Sequence, residues 1–345
     1  MRIAWFWLAA SLATMSGNLC AQAPAEPYKV LRTVKVGGDG GFDYIHADSD
    51  VRRLYVARSG QNSRVDVYDL DTFAPVGEIK TANARGVMID AKSNHGFISS
   101  KPLTMFDPKT LQVIKTIDVQ GNPDGMFFDA PEQRLYVLSH VAPFVTVVDT
   151  KEGSVLGTID IGGMPEQTVS DGEGHLYINV EDKENIAVVD TKTMGVTAHY
   201  DLTGKGGTCA GLAFDAKNRI LFAACRNPAN MVILRADDGK ILSTVPIGAG
   251  ADGAWFHPAT MEVFSSNGGS GTVSVVKENG PTTFALEQTV PTMIGARTST
   301  MDWKTNRLIL VAAEFGPPTP PAQPGGNPGR GPLLPDSVTI IVVGK

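Results

Sequence analysis

The chain has 345 residues, 42% of them hydrophobic and 19% charged, which is the composition of a globular protein and excludes a disordered one. A formal net charge of −6 disfavours broad binding to a phosphate backbone, so nucleic acid is not an expected partner. The 37 glycines and 22 prolines indicate many turns, and only three cysteines exclude a cysteine-rich scaffold.

Residues 1–23 have the pattern of a secretory signal peptide. Arg2 precedes an apolar run at 3–15, and small residues follow, with Ala21 and Ala23 as candidate cleavage positions. The run is shorter than the roughly 20 residues that a membrane span needs. We therefore expect a periplasmic or secreted protein without a membrane span in its mature chain; an uncleaved anchor is the alternative.

A repeat runs through the remainder of the chain. Short strands end in an acidic residue or histidine at intervals of 39 to 45 residues. The final residues of these strands are Asp48, Asp90, Asp129, Asp171, Asp215, His257 and Asp302. Each copy continues with further short strands rich in β-branched and aromatic residues, bounded by turn residues. Four strands in each unit of this length are typical of a propeller blade.

The number of copies predicts a single seven-bladed β-propeller at 24–345, an all-β fold with four antiparallel strands per blade. The seventh copy ends after its third strand, at 337–343, whereas residues 28–37 resemble the fourth strand at 113–121. We therefore expect the N-terminal strand to complete the last blade, which removes an exposed sheet edge.

A Pro/Gly-rich insertion at 315–336 separates the second and third strands of the last blade. A loop of this length is usually functional or disordered. One interpretation is a cover over the channel mouth, with Arg330, Leu333 or Leu334 touching a ligand or partner. The other is a plain surface loop.

The strand sequences resemble a known family. The segments 54–56, 135–137 and 176–179, together with 147–150 and 188–191, are similar to the YVTN-type propeller repeat of exported bacterial proteins of the YncE type. The resemblance extends over essentially the whole mature chain and implies the propeller fold. It does not specify a function, because such propellers include binding scaffolds, haem carriers and lactonase-like metalloenzymes.

In a propeller, the first strand of every blade lines the central channel. Aligning the repeats places charged residues at the start of six of these seven strands, where a shared site would form. They are Asp43, Arg85, Asp124, Glu166, Asp252 and Arg297. The next alignment column contains Gly86, Gly125, Gly211 and Gly253, and glycine lets other groups approach the backbone closely.

Three interpretations of this charged column remain open. Arg85 and Arg297 could bind the carboxylate of a small polar ligand. The acidic residues could instead bind a divalent metal ion such as calcium or magnesium, since hard cations prefer oxygen ligands. The third possibility is that the acidic and basic groups pair with one another around a wet channel. The predicted metal ligands are Asp43, Asp124, Glu166 and Asp252.

Cys209 and Cys225 are expected on neighbouring strands of the fifth blade. A hairpin that pairs 215 with 219 places 209 directly opposite 225, and such a pair can form a disulfide in an oxidising compartment. A slip of one residue in this hairpin would separate the two cysteines.

No haem-attachment, zinc-protease, nucleophile-elbow or phosphate-loop motif is present. The main hypothesis is therefore a non-enzymatic propeller, expected to be a monomer, that binds a small polar ligand or another exported protein. The alternative is a metal-dependent lactonase, hydrolase or lyase, with His46 or Glu166 as the base. His46 and His140 could both face the channel mouth. Weak DNA binding, which YncE-type relatives suggest, is disfavoured by the acidic composition.

Overall fold

The computed structural model describes residues 26–319 and 331–345. They form seven four-stranded antiparallel sheets, with one short 3-10 turn at Glu181–Lys183. The prediction of an all-β, seven-bladed propeller is confirmed. The predicted signal peptide lies outside the described residues.

The strands follow the repeat in chain order. Blade one contains β2 (Gly41–Asp48), β3 (Arg53–Ser59), β4 (Arg64–Asp69) and β5 (Pro75–Lys80). Blade two contains β6 (Gly86–Asp90), β7 (His95–Ser99), β8 (Leu103–Phe106) and β9 (Val113–Ile117). Blade three contains β10 (Pro123–Asp129), β11 (Arg134–Ser139), β12 (Val145–Asp149) and β13 (Ser154–Ile159). Blade four contains β14 (Pro165–Ser170), β15 (His175–Val180), β16 (Asn185–Asp190) and β17 (Gly195–Asp201).

The remaining blades continue the series. Blade five contains β18 (Gly207–Asp215), β19 (Ile220–Asn227), β20 (Asn230–Arg235) and β21 (Ile241–Pro246). Blade six contains β22 (Ala251–His257), β23 (Glu262–Asn267), β24 (Thr272–Gly280) and β25 (Thr283–Pro291). Blade seven contains β26 (Ser299–Asp302), β27 (Arg307–Ala312) and β28 (Thr339–Gly344), and its outer strand is β1 (Lys29–Lys35).

Strand β1 closes the ring as the sequence predicts. It pairs antiparallel with β28, so that Lys29 lies opposite Gly344 and Lys35 lies opposite Thr339. The seventh sheet is thus built from both ends of the described chain, and β28 has no free edge.

Each hydrophobic core lies between two neighbouring blades. In β3, Leu54 and Val56 pack against blade seven, whereas Tyr55 and Ala57 pack against blade two. Successive side chains of a strand point to opposite faces, and here both faces are buried. This explains why the second strands are continuous hydrophobic runs rather than alternating ones. Seven clusters of this kind link the described residues into one ring.

The repeated aspartates at the ends of the first strands have a structural role. Asp90 and Asp215 accept hydrogen bonds of 2.9 Å from the backbone N–H two residues later, and Asp48, Asp171 and Asp302 accept similar bonds. An aspartate that bonds its own backbone in this way stabilises a tight turn. These residues therefore fix the hairpins and lie at the opposite end of the first strands from the charged column.

Candidate functional site

Backbone irregularities position the charged column at the channel mouth. A β-bulge interrupts the first strand of five blades, between Phe42 and Ile45 in blade one and at the matching positions of blades three to six. Asp43, Asp124, Glu166 and Asp252 lie in these bulges. Bulges often redirect side chains at barrel rims and binding sites. Arg85 directly precedes β6, and Arg297 lies two residues before the start of β26.

The structure brings all six predicted residues together. Nη1 of Arg85 lies 3.0 Å from Oδ2 of Asp43 and 4.0 Å from Oδ1 of Asp124. The guanidinium of Arg297 bridges two carboxylates, at 3.7 Å from Asp43 and 3.5 Å from Asp252. These six residues form the mouth cluster together with His140, Glu181 and Arg226. In this cluster, ion pairing among the predicted residues is extensive but incomplete.

Three more residues complete the mouth cluster from the ends of second strands and the segments that follow them. Arg226 pairs with Asp252 and lies 3.4 Å from Glu181. Nε2 of His140 lies 3.6 Å from both Asp124 and Glu166. His140, Glu181 and Arg226 each stand four residues after the central aromatic residue of their second strand. Aligning that second column would have revealed Glu181 and Arg226, which our sequence analysis missed.

Tyr44 crosses the channel beneath the mouth cluster. Its hydroxyl donates a 3.0 Å hydrogen bond to Oε2 of Glu166, three blades away. On the way the ring passes over Gly125, where an added Cβ would lie 3.4 Å from the phenol. The glycines of the second alignment column therefore leave room for a side chain that spans several blades.

Gln167 makes a second crossing from blade four to blade six. Its side-chain oxygen accepts hydrogen bonds from the backbone N–H groups of Leu212 (3.1 Å) and Ala254 (2.9 Å), and its amide donates to the Ala254 carbonyl at 2.9 Å. Together, Tyr44 and Gln167 form a polar layer that separates the mouth cluster from the channel below.

Burial changes the protonation of several mouth carboxyls. Burial and the neighbouring charge of Asp124 raise the pKa of Asp43 to about 6. Burial also raises the pKa of Asp124. The pKa of Glu166 is raised well above its usual value, first by burial and then by a hydrogen bond with the carboxyl of Glu181. These three carboxyls therefore bind a proton more tightly than free carboxylates do.

The carboxylates that we predicted as metal ligands do not converge on one point. Among the described residues, no group of three or more His, Cys, Asp or Glu side chains is arranged to hold a metal ion. Asp43 and Asp252 instead face arginines, and Asp124 and Glu166 flank His140. Metal binding stays an untested expectation.

His46 lies away from the mouth cluster. It is two residues further along β2 than Tyr44 and lines the channel below the polar layer, next to Tyr55 with 6.3 Å between ring centroids. Of the two histidines expected near the mouth, only His140 contacts the cluster. The strand places His46 beyond the bulge, and our expectation that it could face the mouth is wrong.

Cys209 and Cys225 form a disulfide in the structure. The hairpin register differs from the one that we expected, because Asp215 pairs with Ile220 rather than with Arg219. A bulge between Cys209 and Gly211 takes up the difference of one residue, so the two cysteines still lie opposite each other.

The described ends of the insertion are tied together on the mouth face. Phe315 and Leu333 form an isolated β-bridge, and the N–H of Gly316 donates to the Pro332 carbonyl at 2.8 Å. Phe315 and Leu333 also pack on the core between blades one and seven. Arg330 lies outside the described residues, and a role for the insertion as a cover stays a prediction.

Fold and site together define a seven-bladed β-propeller with a charged cluster at one channel mouth. The chain is 29% identical over 149 residues to the YncE proteins of Salmonella typhi and Salmonella typhimurium and 28% identical to that of Escherichia coli O157:H7, all described as uncharacterized. The alignment covers 40% of this chain and 41% of each relative, so the chain spans about two fifths of their length. The chain is thus similar to YncE proteins and has the propeller fold that this resemblance implies.

Solved structures show the same fold at low identity. A chain of a mitotic checkpoint complex aligns with a TM-score of 0.72 at 12% identity, over 90% of this chain and 96% of that one. A chain of Kuenenia stuttgartiensis hydrazine synthase aligns with a TM-score of 0.60 at 16% identity, over 69% and 84%. No family model matches the chain. In the part of the chain that the structure describes, no helix is long and apolar enough to span a bilayer.

Proposed function

We propose that this protein is an exported, non-enzymatic binding propeller whose mouth cluster takes a small polar ligand with a carboxylate. The observation that carries the proposal is the guanidinium of Arg297. It is 36% exposed, and within the described residues it makes ion contacts at 3.5 and 3.7 Å but donates no side-chain hydrogen bond. An arginine fork with unused donors is suited to bidentate recognition of a carboxylate.

The acidic residues of the mouth cluster are placed to contact a second polar group of the ligand. The Asp124 carboxylate lies 3.6 Å from Nε2 of His140 and 4.0 Å from Nη1 of Arg85, and Nε2 of His140 has no hydrogen-bond partner among the described residues. A hydroxyl or amino group of the ligand would meet these groups. The ligand class is therefore a hydroxy- or amino-carboxylate.

Export is supported by two features. The N-terminal pattern is that of a secretory signal, and a disulfide in a small hairpin fits an oxidising compartment. The periplasm or the extracellular space is accordingly the proposed location.

The proposal is tested by thermal unfolding and calorimetry with glycine, L-lactate and L-malate as probes. A ligand that binds only the native state raises the unfolding midpoint. We expect Arg297→Gln to weaken binding about 10- to 100-fold, since hydrogen bonds to charged groups contribute ~1.5–3 kcal/mol. Arg235→Gln, which alters an arginine at the end of β20 that pairs with Asp238, is the matched control. No midpoint shift with any probe, or equal binding by Arg297→Gln, would contradict the proposal.

A metal-dependent lactonase, hydrolase or lyase is the second candidate. It is favoured by Glu166, because burial and the neighbouring Glu181 raise the pKa of its carboxyl, as acid–base chemistry requires. The same unfolding assay with EDTA, Ca²⁺ and Mg²⁺ separates the two functions. A midpoint that rises by several degrees with one metal, and no longer does so in Asp124→Asn, would favour the metal-dependent enzyme.

A further inference from the structure

Below the polar layer, the central channel contains a cavity of about 780 Å³. Its wall is largely apolar and aromatic, and includes Met88, Phe128, Val169, Phe214 and Trp255. Small-molecule sites typically occupy ~300–1,000 Å³ and have mostly apolar walls with a few polar groups. Size and lining are therefore those of a ligand pocket.

The cavity is distinct from the mouth cluster. Of the six charged residues predicted at the mouth, only Asp252 lines it, while Tyr44 and Gln167 of the polar layer form its upper wall. At the opposite end the wall includes Lys217, Pro258 and Trp303. Trp303 is 47% exposed and packs edge-on against Trp255, with 6.3 Å between ring centroids. A ligand would therefore enter from the face opposite the mouth, past an exposed indole.

His46 provides a polar contact inside this apolar wall. Neither of its ring nitrogens makes a hydrogen bond within the described residues, and burial lowers its pKa, so the ring is neutral. A neutral imidazole offers one donor and one acceptor. It can therefore bind a single N–H, hydroxyl or carbonyl group of a bound molecule.

The lining at this end of the cavity contains one charge of each sign, Asp215 and Lys217. Because the rest of the lower wall is mainly apolar, it suits a neutral ligand. We propose that the lower channel is a second binding site, for a neutral aromatic molecule with one hydrogen-bonding group. The exposed Trp303 would stack on it, and His46 would bind its polar atom.

The test titrates the full chain with N-phenyl-1-naphthylamine, a neutral aromatic amine whose emission rises in apolar surroundings. We expect saturable binding. Val169→Phe, which narrows the cavity, should weaken binding about tenfold, because the larger side chain occupies space that the probe needs. Trp303→Ala, at an exposed position that does not endanger folding, should weaken it at least severalfold by removing the aromatic contact.

Two control variants test whether the probe binds in the lower channel rather than elsewhere on the protein. Ile114→Ser changes an exposed apolar residue on the outer strand β9, and Arg297→Gln changes the mouth cluster. Both should bind the probe like the unaltered protein, so a failure of the proposed mouth ligand leaves this result intact. Non-saturable binding, unchanged binding by both Val169→Phe and Trp303→Ala, or loss of binding in Ile114→Ser would overturn the proposal.

Discussion

Asp43 illustrates how single residues at the mouth balance burial against charge. Two arginines face its carboxylate, yet burial and the nearby Asp124 outweigh them and raise its pKa from 3.8 to about 6. The native state therefore keeps a proton that the unfolded chain releases at lower pH. Ionisation of Asp43 at higher pH therefore lowers the free energy of unfolding. A ligand that brings a positive charge or hydrogen-bond donors would stabilise the ionised carboxylate.

We predict a pH signature for Asp43→Asn. Because the native pKa lies above the unfolded one, the contribution of Asp43 is fully present below about pH 4 and is lost as the pH rises to about 6. Over this window the free energy of unfolding of the unaltered protein should fall relative to the variant by about 3 kcal/mol. Urea unfolding at several pH values measures this difference.

Asp190→Asn is the control with the opposite sign. Hydrogen bonds from the Thr193 backbone and hydroxyl lower the pKa of the exposed Asp190, so its contribution grows as the pH rises. If the difference between unaltered protein and Asp43→Asn does not change between pH 4 and 6, the carboxyl is not held protonated by burial.

Among the structural elements, the first strands of blades five and six show why glycine is needed beside the channel. A Cβ added at Gly211 would lie 2.8 Å from the carbonyl carbon of Gly253 and 2.9 Å from the nitrogen of Ala254. Both contacts are with backbone, which cannot move aside as a flexible side chain would. The close approach of β18 and β22 thus depends on the missing side chain.

Gly211→Ala should therefore lower the free energy of unfolding by about 2 kcal/mol, as is common when a packed site is overfilled. Gly280→Ala is the matched control, because nothing lies within 4 Å of its added Cβ. That variant should be neutral or slightly stabilising, since alanine restricts the unfolded chain. Urea unfolding compares both, and equal effects would contradict the packing argument.

Sequence alignment predicted these elements better than their register. The recurring Asp and Leu-Tyr-Val patterns located the strands because turn residues and buried runs are local signals. The bulges were not predictable, since one extra residue in a strand leaves no clear mark in the hydrophobic pattern. The pairing of Asp215 with Ile220, and the bulge that still aligns Cys209 with Cys225, show this limit.

The same limit applied to the site. The mouth residues at the first strands could be read from one alignment column, and Glu181 and Arg226 stand in a second column that we did not align. Only the folded ring shows that the two columns meet at the channel mouth. The hydrogen bond from Tyr44 to Glu166 could not be predicted from the sequence either, because it depends on the distance between two sheets that are far apart in the chain.

At the scale of the whole molecule, both ends of the described chain meet on blade six. The hydroxyl of Tyr28 donates a 2.5 Å hydrogen bond to Oε2 of the buried Glu262, and Nζ of Lys345 lies 3.2 Å from its other oxygen. The ammonium of Lys345 also lies 4.4 Å from the centre of the Tyr28 ring. This contact reinforces the closure of blade seven by β1, since each terminus is fixed to the neighbouring blade as well as to the other.

We accordingly predict that Tyr28→Phe destabilises the ring beyond the loss of an ordinary hydroxyl. It leaves a buried carboxylate with one donor fewer, and hydrogen bonds to charged groups contribute ~2 kcal/mol where neutral ones contribute ~1 kcal/mol. Tyr200→Phe is the comparison, because that hydroxyl donates to the neutral carbonyl of Ala236 at 2.7 Å. Urea unfolding of both variants measures the difference. A loss in Tyr28→Phe no greater than in Tyr200→Phe would mean that the terminal contact adds nothing to the pairing of β1 with β28.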